Sequence, residues 1–145
     1  MGYQRMTDDE VRAFLASDPP HTAKVATVRA DGRPHVAPVW FALDDDGALV
    51  FNTGRDSVKG KAFRRDGRVA ISVDDERPPF TFVLIEGTVE LVDDLDEVRR
   101  WATVIGGRYM GAERAEEYGA RNGVPEELLV RVNPERVTSA RDVAD

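Results

Sequence analysis

The 145-residue chain contains no cysteine, and this absence excludes disulfides, catalytic thiolates and cysteine-ligated metals. Histidine is scarce as well, because only His21 and His35 occur, on separate segments and without a carboxylate at ligand spacing. The case for a metal site or for a nucleophile–histidine–carboxylate triad is therefore weak. Any redox chemistry would have to come from a bound cofactor.

Long hydrophobic runs and an excess of basic residues are missing too. No apolar stretch reaches the ~20 residues that cross a bilayer, and the N-terminal residues lack the apolar core of a secretory signal. We therefore expect a soluble, cytoplasmic protein. The formal net charge of −7 argues against a nucleic-acid-binding or anionic-membrane-binding surface, but it is compatible with the binding of a single anionic small molecule.

Acidic residues are numerous, but they cluster where turns and helix caps are expected. The clusters lie at 8–9, 44–46, 74–76 and 93–94. Carboxylates in such places are explained by solvation and by the capping of backbone N–H groups. Their spacing does not support the facing carboxylate pair that a glycosidase needs, so we assign no catalytic acid or base.

Hydrophobic patterning predicts one α+β domain, mainly β, over residues 1–145. Six strands are expected, at 22–29, 35–43, 48–53, 69–73, 81–92 and 128–132. Helices are expected after Thr7, after Ser57, from Asp94 and over 112–122. Strand 35–43 is apolar on both faces, which predicts a buried strand, and the chain from Arg136 onward is predicted to be a short strand end and a loose tail.

Short turns between the strands favour an antiparallel barrel over a βαβ nucleotide-binding fold. No glycine-rich dinucleotide-binding motif follows a strand, and Gly54 is followed by neither a Walker A nor a Rossmann spacing. The phosphate-binding motifs of those folds are therefore excluded.

One segment reverses the acidic balance of the chain. Residues 55–68 hold six basic residues against two aspartates, a local balance of +4. Two of the three lysines in the chain, Lys59 and Lys61, lie here, on either side of Gly60 and just after the expected helix start at Ser57. Because a helix N-terminus presents free N–H groups and partial positive charge, this turn could hold a phosphate. The alternative is a solvated basic helix face.

An earlier predicted strand, 35–43, carries a proline and a tryptophan. Pro38 has no backbone N–H to donate to a neighbouring strand. Its place in strand 35–43 therefore predicts a sheet edge or a bulge beside Trp40. A planar ring could lie against a strand opened in this way. The alternative is that Trp40 and Phe41 are simply core residues.

These segments together resemble the pyridoxamine-phosphate-oxidase-like split-barrel superfamily. The resemblance is carried by residues 26–41, 52–54 and 59–70, and within the superfamily it is greatest to the deazaflavin (coenzyme F420)-dependent reductases. Residues 74–80, 86–88 and 108–111 fit the same pattern. The resemblance thus covers nearly the whole chain.

The resemblance implies a six-stranded antiparallel split β-barrel with a few peripheral helices, a homodimer, and a flavin-type cofactor in the groove between the subunits. Residues 57–61 would hold the cofactor phosphate, 38–40 would line the ring, 52–53 would contact its polar edge and side chain, and 80–81 would form a pocket wall. The cofactor-binding residues implied in this way are Pro38, Val39, Trp40, Asn52, Thr53, Ser57, Val58, Lys59, Gly60, Lys61, Phe80 and Thr81.

The resemblance also implies a reaction, which is hydride transfer from reduced F420 to an electron-poor double bond of a small organic acceptor. The protein would mainly orient ring and acceptor, which suits a chain without an evident acid–base pair. Three alternatives stay open at this point. The cofactor could be FMN, the chain could be a non-catalytic protein that binds a cofactor, haem or tetrapyrrole, or the barrel could be purely structural.

Overall fold

The computed structural model describes residues 4–144 and arranges seven strands in one antiparallel sheet. The strands are β1 (Ala23–Val28), β2 (Pro34–Val39), β3 (Ala42–Leu43), β4 (Leu49–Gly54), β5 (Arg68–Asp75), β6 (Thr81–Val92) and β7 (Glu127–Ala140). Within the same residues there are four α-helices, α1 (Asp8–Leu15), α2 (Val58–Arg65), α3 (Leu95–Met110) and α4 (Ala115–Asn122). The predicted α+β, mainly β class is confirmed.

The sheet curls into a split barrel. Its strand order, β2-β1-β5-β6-β7-β4-β3, places β2 and β3 at the two edges. Val25 of β1 and Phe51 of β4 belong to one buried cluster, although three strands separate β1 from β4 in that order. Helix α2 also packs against both β1 and β4, which requires the sheet to close on itself and leaves a gap between β2 and the β3–β4 pair.

Two hydrophobic clusters lie on opposite sides of β4. Phe51 points into the barrel, where Phe63 of α2 and Leu15 of α1 also pack. Val50, next to it in sequence, faces the other side and packs with Val98 and Trp101 of α3. Because side chains alternate along a strand, Asn52 must face α3 as Val50 does. The outer cluster therefore holds α3 against the sheet beside the gap.

Local sequence signals explain where the helices begin. The Thr7 hydroxyl accepts a hydrogen bond from the Glu10 N–H at 3.1 Å, and the Thr7 N–H donates to the Glu10 carboxylate at 3.0 Å. This is the predicted capping box of α1. Asp94 caps α3 in a similar way, by accepting from the N–H of Asp96 at 2.9 Å.

Glycines allow α3 and α4 to pack closely. A Cβ atom added to Gly106 would lie 2.3 Å from the Cβ of Tyr118, and one added to Gly119 would lie 2.0 Å from the hydroxyl of Thr103. Both distances are far shorter than any real contact. The Gly106-Gly107 pair therefore serves close helix packing and does not interrupt α3, which runs through it.

The structure corrects the prediction of one strand over 35–43 and with it the count of six strands. The chain leaves the sheet at Trp40 and Phe41, so that β2 and β3 are separate strands. Side chains of α3 there take the place of the backbone hydrogen bonds of the sheet. The Phe41 N–H donates to the Tyr109 hydroxyl, and the Phe41 carbonyl accepts from Arg108. The predicted burial of this strand is also wrong, since β2 is an edge strand with Pro34, Val36 and Pro38 exposed.

The prediction of a short strand end and a loose tail from Arg136 onward is right about the strand end but makes it too short. Strand β7 continues to Ala140, and its second half pairs with β6 from Phe82↔Ala140 to Glu86↔Arg136. A register shift at Glu86/Gly87 lets the pairing continue past Pro134, which has no N–H to donate. None of the helices within residues 4–144 is both long and apolar enough to cross a membrane.

Candidate functional site

A cavity of about 660 Å³ opens in the gap of the barrel, and we call it the aromatic cavity. Its volume falls in the range typical of small-molecule sites. Its walls come from the end of β2, from β4 and from the facing sides of α3 and α4. The lining residues are Thr22, Pro38, Val39, Trp40, Asn52, Ala102, Ile105, Gly106, Met110, Tyr118, Arg121 and Asn122.

Trp40 forms the flat wall of the aromatic cavity. Its ring stacks on Tyr109 with centroids 5.1 Å apart and planes 5° apart, and it meets the edge of Tyr118 at 5.5 Å. Trp40 is only partly buried, whereas its neighbour Phe41 is fully buried. The interpretation as core residues thus holds for Phe41, while Trp40 borders the cavity.

Two residues of α3 fix the backbone that carries Trp40. The Tyr109 hydroxyl donates to the His21 carbonyl at 2.6 Å and accepts from the Phe41 N–H at 3.2 Å. The Arg108 guanidinium donates to the carbonyls of Phe41 at 2.6 Å and Leu15 at 2.7 Å. Burial raises the pKa of the Tyr109 phenol, so that the hydroxyl keeps the proton it donates.

The N-terminal turn of α2 forms a second feature, which we call the basic end and define by Arg55, Lys59 and Lys61. Ser57 caps this helix as predicted, because its hydroxyl accepts from the Gly60 N–H at 3.0 Å. The same hydroxyl donates to the Gly54 carbonyl at 2.7 Å. Ser57 is therefore committed to the cap, and the helix start is held rigidly on the end of β4.

Gly60 is explained by packing. A Cβ atom added to it would lie 2.3 Å from the Gly54 carbonyl oxygen and 2.6 Å from the Arg55 carbonyl oxygen. Only glycine lets the helix come this close to the chain that leads into it. Among residues 4–144, the N–H groups of Val58 and Lys59 have no hydrogen-bond acceptor, so two donors of the helix start are available to a ligand.

The six basic residues of 55–68 divide into two groups. Three arginines have partners within the protein: Arg64 bonds to Arg55 and Asp56, Arg65 to the Val28 carbonyl, and Arg68 to Asp66. The side chains of the basic end make no hydrogen bond or ion pair with any residue from 4 to 144. The unpaired charge is thus concentrated at the helix start.

Lys59 lies beside a carboxylate that the sequence interpretation missed. Burial lowers the pKa of Lys59, and the charge of Glu127 opposes that shift. Burial likewise raises the pKa of Glu127, and the charge of Lys59 opposes it. The Oε2 atom of Glu127 is buried without a hydrogen-bond partner. The signal in the sequence was slight, since Glu127 stands at the start of a strand far along the chain.

The sheet register connects the two features. Asn52 and Gly54 lie on the same face of β4, and opposite them on β7 lie Leu129 and Glu127. Asn52 lines the aromatic cavity, and its amide donates to the Val98 carbonyl at 3.3 Å. Two residues of a strand span about 7 Å. The cavity residue Asn52 therefore lies two residues before Gly54, at which the chain turns toward the basic end.

The predicted site residues lie at separate places in the structure of a single chain. Pro38, Val39, Trp40 and Asn52 line the aromatic cavity, and residues 57–61 lie at the basic end. Thr53 faces the barrel interior, where its hydroxyl lies 3.2 Å from that of Ser57. Phe80 and Thr81 line a separate depression of about 450 Å³. That depression shares Lys24, Asp74 and Asp75 with a polar cleft, and the cleft shares Thr22 with the aromatic cavity.

These residues fit a ligand with a planar ring and a phosphate. The cavity offers an aromatic wall, and the basic end offers a half-buried ammonium group that makes no ion pair within residues 4–144 and two free N–H donors. The carboxylates of Asp56, Glu126 and Glu127 lie near the same helix start and would oppose a phosphate, and burial raises the pKa of Glu127.

Comparison with known proteins gives the family. The family model described as pyridoxamine 5'-phosphate oxidase matches residues 7–140. The chain belongs to the pyridoxamine 5'-phosphate oxidase family. The family predicted from segments 26–41, 52–54 and 59–70 is thereby confirmed.

Relatives of this family member include two named reductases. An F420H(2)-dependent biliverdin reductase of Mycobacterium tuberculosis is 32% identical over 97% of this chain and 93% of the relative. A 5a,11a-dehydrotetracycline/5a,11a-dehydrooxytetracycline reductase of Streptomyces rimosus is 31% identical over 80% of this chain and 71% of the relative. A crystal structure of a conserved hypothetical protein from M. tuberculosis superimposes with a TM-score of 0.82 at 27% identity, covering 94% of this chain and 86% of that one.

Proposed function

We propose that this chain is an F420-dependent oxidoreductase that transfers a hydride from the reduced cofactor to a small organic acceptor. The observation that carries the proposal is an aromatic cavity beside β4 together with unpaired basic side chains at the start of the helix that follows the same strand. The full-length similarity to an F420H(2)-dependent reductase supports the choice of cofactor. Reduced F420 would supply two electrons and a hydrogen to the electron-poor carbon, and the acceptor would take its second proton from solvent.

Each group of residues would have a separate task. Lys59, Lys61 and the free N–H groups of Val58 and Lys59 would bind the phosphate. Trp40 would lie against the ring, and Tyr109 and Arg108 would hold Trp40 in place. Asn52 would offer its amide to a polar ring edge. Orientation of ring and acceptor is the main contribution of the protein, because the cavity lining contains no acid–base pair.

A homodimer with the cofactor between the subunits is part of the proposal. The outer face of the sheet carries exposed apolar side chains, Val28, Val36 and Leu84, where most sheets of a monomer would be covered or polar. A second copy on this face would cover them, and it could bring its own Phe80 and Thr81 to the site. Light scattering on the purified protein should give twice the mass of one chain.

FMN is the nearest alternative cofactor, because it also combines a planar ring with a phosphate. Titration of the purified protein with F420 and with FMN, followed by intrinsic fluorescence, separates the two. We expect at least about tenfold tighter binding of F420, a difference of about 1.4 kcal/mol. Protein that is yellow and FMN-loaded as purified would contradict the proposal.

Turnover distinguishes an enzyme from a protein that only binds a cofactor or a tetrapyrrole. Reduced F420 is mixed anaerobically with the protein and a panel of electron-poor alkenes and enones, and the return of the oxidised absorbance is followed. We expect oxidation that depends on both acceptor and protein. Tight F420 binding without oxidation by any acceptor would instead support a binding protein.

A further inference from the structure

Arg121 lies at the rim of the aromatic cavity, at the C-terminal end of α4. The side chain is exposed, and its guanidinium carbon lies 5.7 Å from the centre of the Tyr118 ring. Tyr118 is itself part of the cavity wall, in contact with Trp40. The guanidinium is therefore held over the aromatic wall by a cation–π contact.

Beside the Arg114 hydrogen bond, the charge of Arg121 helps to lower the pKa of Glu117, but the Arg121 side chain makes no hydrogen bond or ion pair anywhere in residues 4–144. Its neighbour Arg114 also lies over Tyr118, but Arg114 is paired with Glu117 through hydrogen bonds of 2.9 and 3.2 Å. Because both carboxylate oxygens of Glu117 are occupied in this way, Arg121 is left as the cation that faces the cavity mouth.

Nothing in the lining would repel an anion there. The residues that line the aromatic cavity include no aspartate and no glutamate, and Asn122, next to Arg121, adds an amide at the same rim. Most of the inner wall is aromatic or apolar, with Thr22 and Asn52 as polar residues. The cavity thus combines a largely apolar interior with a cationic rim.

We propose that Arg121 determines acceptor specificity by binding a carboxylate carried by a planar, conjugated acceptor whose body lies at the mouth of the aromatic cavity, where it would meet the cofactor ring. A guanidinium suits this task because its planar fork matches a carboxylate with two parallel hydrogen bonds, and its charge is permanent. The proposal rests on the proposed function, and it names the class of acceptor: conjugated carboxylic acids are preferred over their neutral esters.

Binding to a protein that cannot turn over tests the proposal. The probes are biliverdin, a dicarboxylic acid named as the substrate of the mycobacterial relative, and biliverdin dimethyl ester, which has the same conjugated body without charge. Each is titrated into the wild-type protein, both alone and saturated with oxidised F420, and tryptophan fluorescence is followed. The variants are R121Q, R121K and R121E, with R33Q as the matched control, because Arg33 lies in the exposed β1–β2 turn.

The wild type and R33Q should bind the acid about tenfold more tightly than the ester, a difference of about 1.4 kcal/mol. R121Q should bind the two alike, R121K should keep part of the preference, and R121E should prefer the ester. Because Arg121 is exposed, the melting temperatures should stay the same.

Three results would overturn the proposal. The wild type could bind acid and ester equally, it could bind neither, or R121Q could lose affinity for F420 alone. Failure of the wild type to bind F420 would contradict the proposed function alone. The titrations without cofactor would still measure the preference of Arg121 for the acid over the ester.

Discussion

The aromatic cavity takes its lining from four distant parts of the chain, whereas the basic end is formed almost entirely within residues 52–65. The cavity exists only if α3 and α4 pack closely on each other and on the strand ends, so its shape depends on long-range contacts. The basic end depends on one helix cap and on three unpaired cations. Substitutions should therefore damage the two features by different routes, through packing in one and through charge in the other.

The largest effect should come from closing the helix contact that shapes the cavity. G106A places a methyl group only 2.3 Å from the Cβ of Tyr118. Overpacking of this kind costs about 1–3 kcal/mol. We expect a lower melting temperature and loss of cavity binding. G107A is the matched control, because its methyl group would lie 3.1 Å from the Cβ of Ala115, and better helix propensity offsets that closer contact. If G106A proved as stable as G107A, the close packing would not shape the cavity.

A smaller loss should follow from releasing the backbone behind Trp40. R108M removes the donors to the carbonyls of Phe41 and Leu15, and hydrogen bonds to a charged group contribute about 1.5–3 kcal/mol each before the structure relaxes. We expect the free energy of unfolding in urea to fall by about 2 kcal/mol. R100M is the matched change. Within the described residues the only ion pair of Arg100 is with Glu97 on the same helix, so R100M should lower the free energy of unfolding by less than about 0.5 kcal/mol. Equal losses for R108M and R100M would contradict the anchoring role of Arg108.

The smallest effect should appear at the basic end, where Glu127 faces Lys59. E127Q removes a carboxylate that repels phosphate, so F420 affinity at pH 8 should rise about threefold to tenfold. In the wild type, affinity should rise as pH falls through the pKa of Glu127, which burial raises above 4.5, because protonation removes the same charge. E127Q should show no such change with pH. E126Q, a neighbouring exposed change of equal charge, should respond much less.

The same group should affect stability in a defined direction. A carboxyl whose folded pKa is raised stabilises the protein below its unfolded pKa and loses that contribution as pH rises through the folded value. E127Q should therefore be no less stable than the wild type at pH 8, and its relative advantage should vanish in acid. A stability loss in E127Q at pH 8 would show that the ionised Glu127 supports the fold.

Sequence patterns predicted what is local in this structure. The capping box at Thr7, the cap at Ser57 and strand β6 with both of its ends follow from residues close together in sequence. The break at Trp40–Phe41 could not be predicted, because its backbone partners, Tyr109 and Arg108, lie more than sixty residues away. The strand after Pro134 was predicted only as a short end for a similar reason, since its pairing with β6 depends on a bulge that leaves Glu135 of β7 out of the register.

The candidate site shows the same division. Residues 38–40 and 57–61 were found from local motifs, and the structure places the first group at a cavity and the second at a helix start. Tyr118 and Arg121 were missed, since nothing in the α4 sequence indicates that this helix covers the gap of the barrel. Glu127 was missed because its charge acts on Lys59 only when β7 pairs with β4, which places Glu127 opposite Gly54.

The central claim is that the aromatic cavity and the basic end bind opposite ends of one cofactor. Calorimetric titration tests this claim with two ligands: F420 and its riboside-level precursor, which has the ring and its ribityl chain without the phosphate. The proteins are the wild type, W40L, K59A/K61A and the charge-matched control R33A/R136A. The wild type and the control should prefer F420 about hundredfold, or about 2.7 kcal/mol. K59A/K61A should lose that preference and keep its riboside affinity, while W40L should weaken both ligands. Retained micromolar F420 affinity in K59A/K61A, with the preference over the riboside intact, would contradict the account.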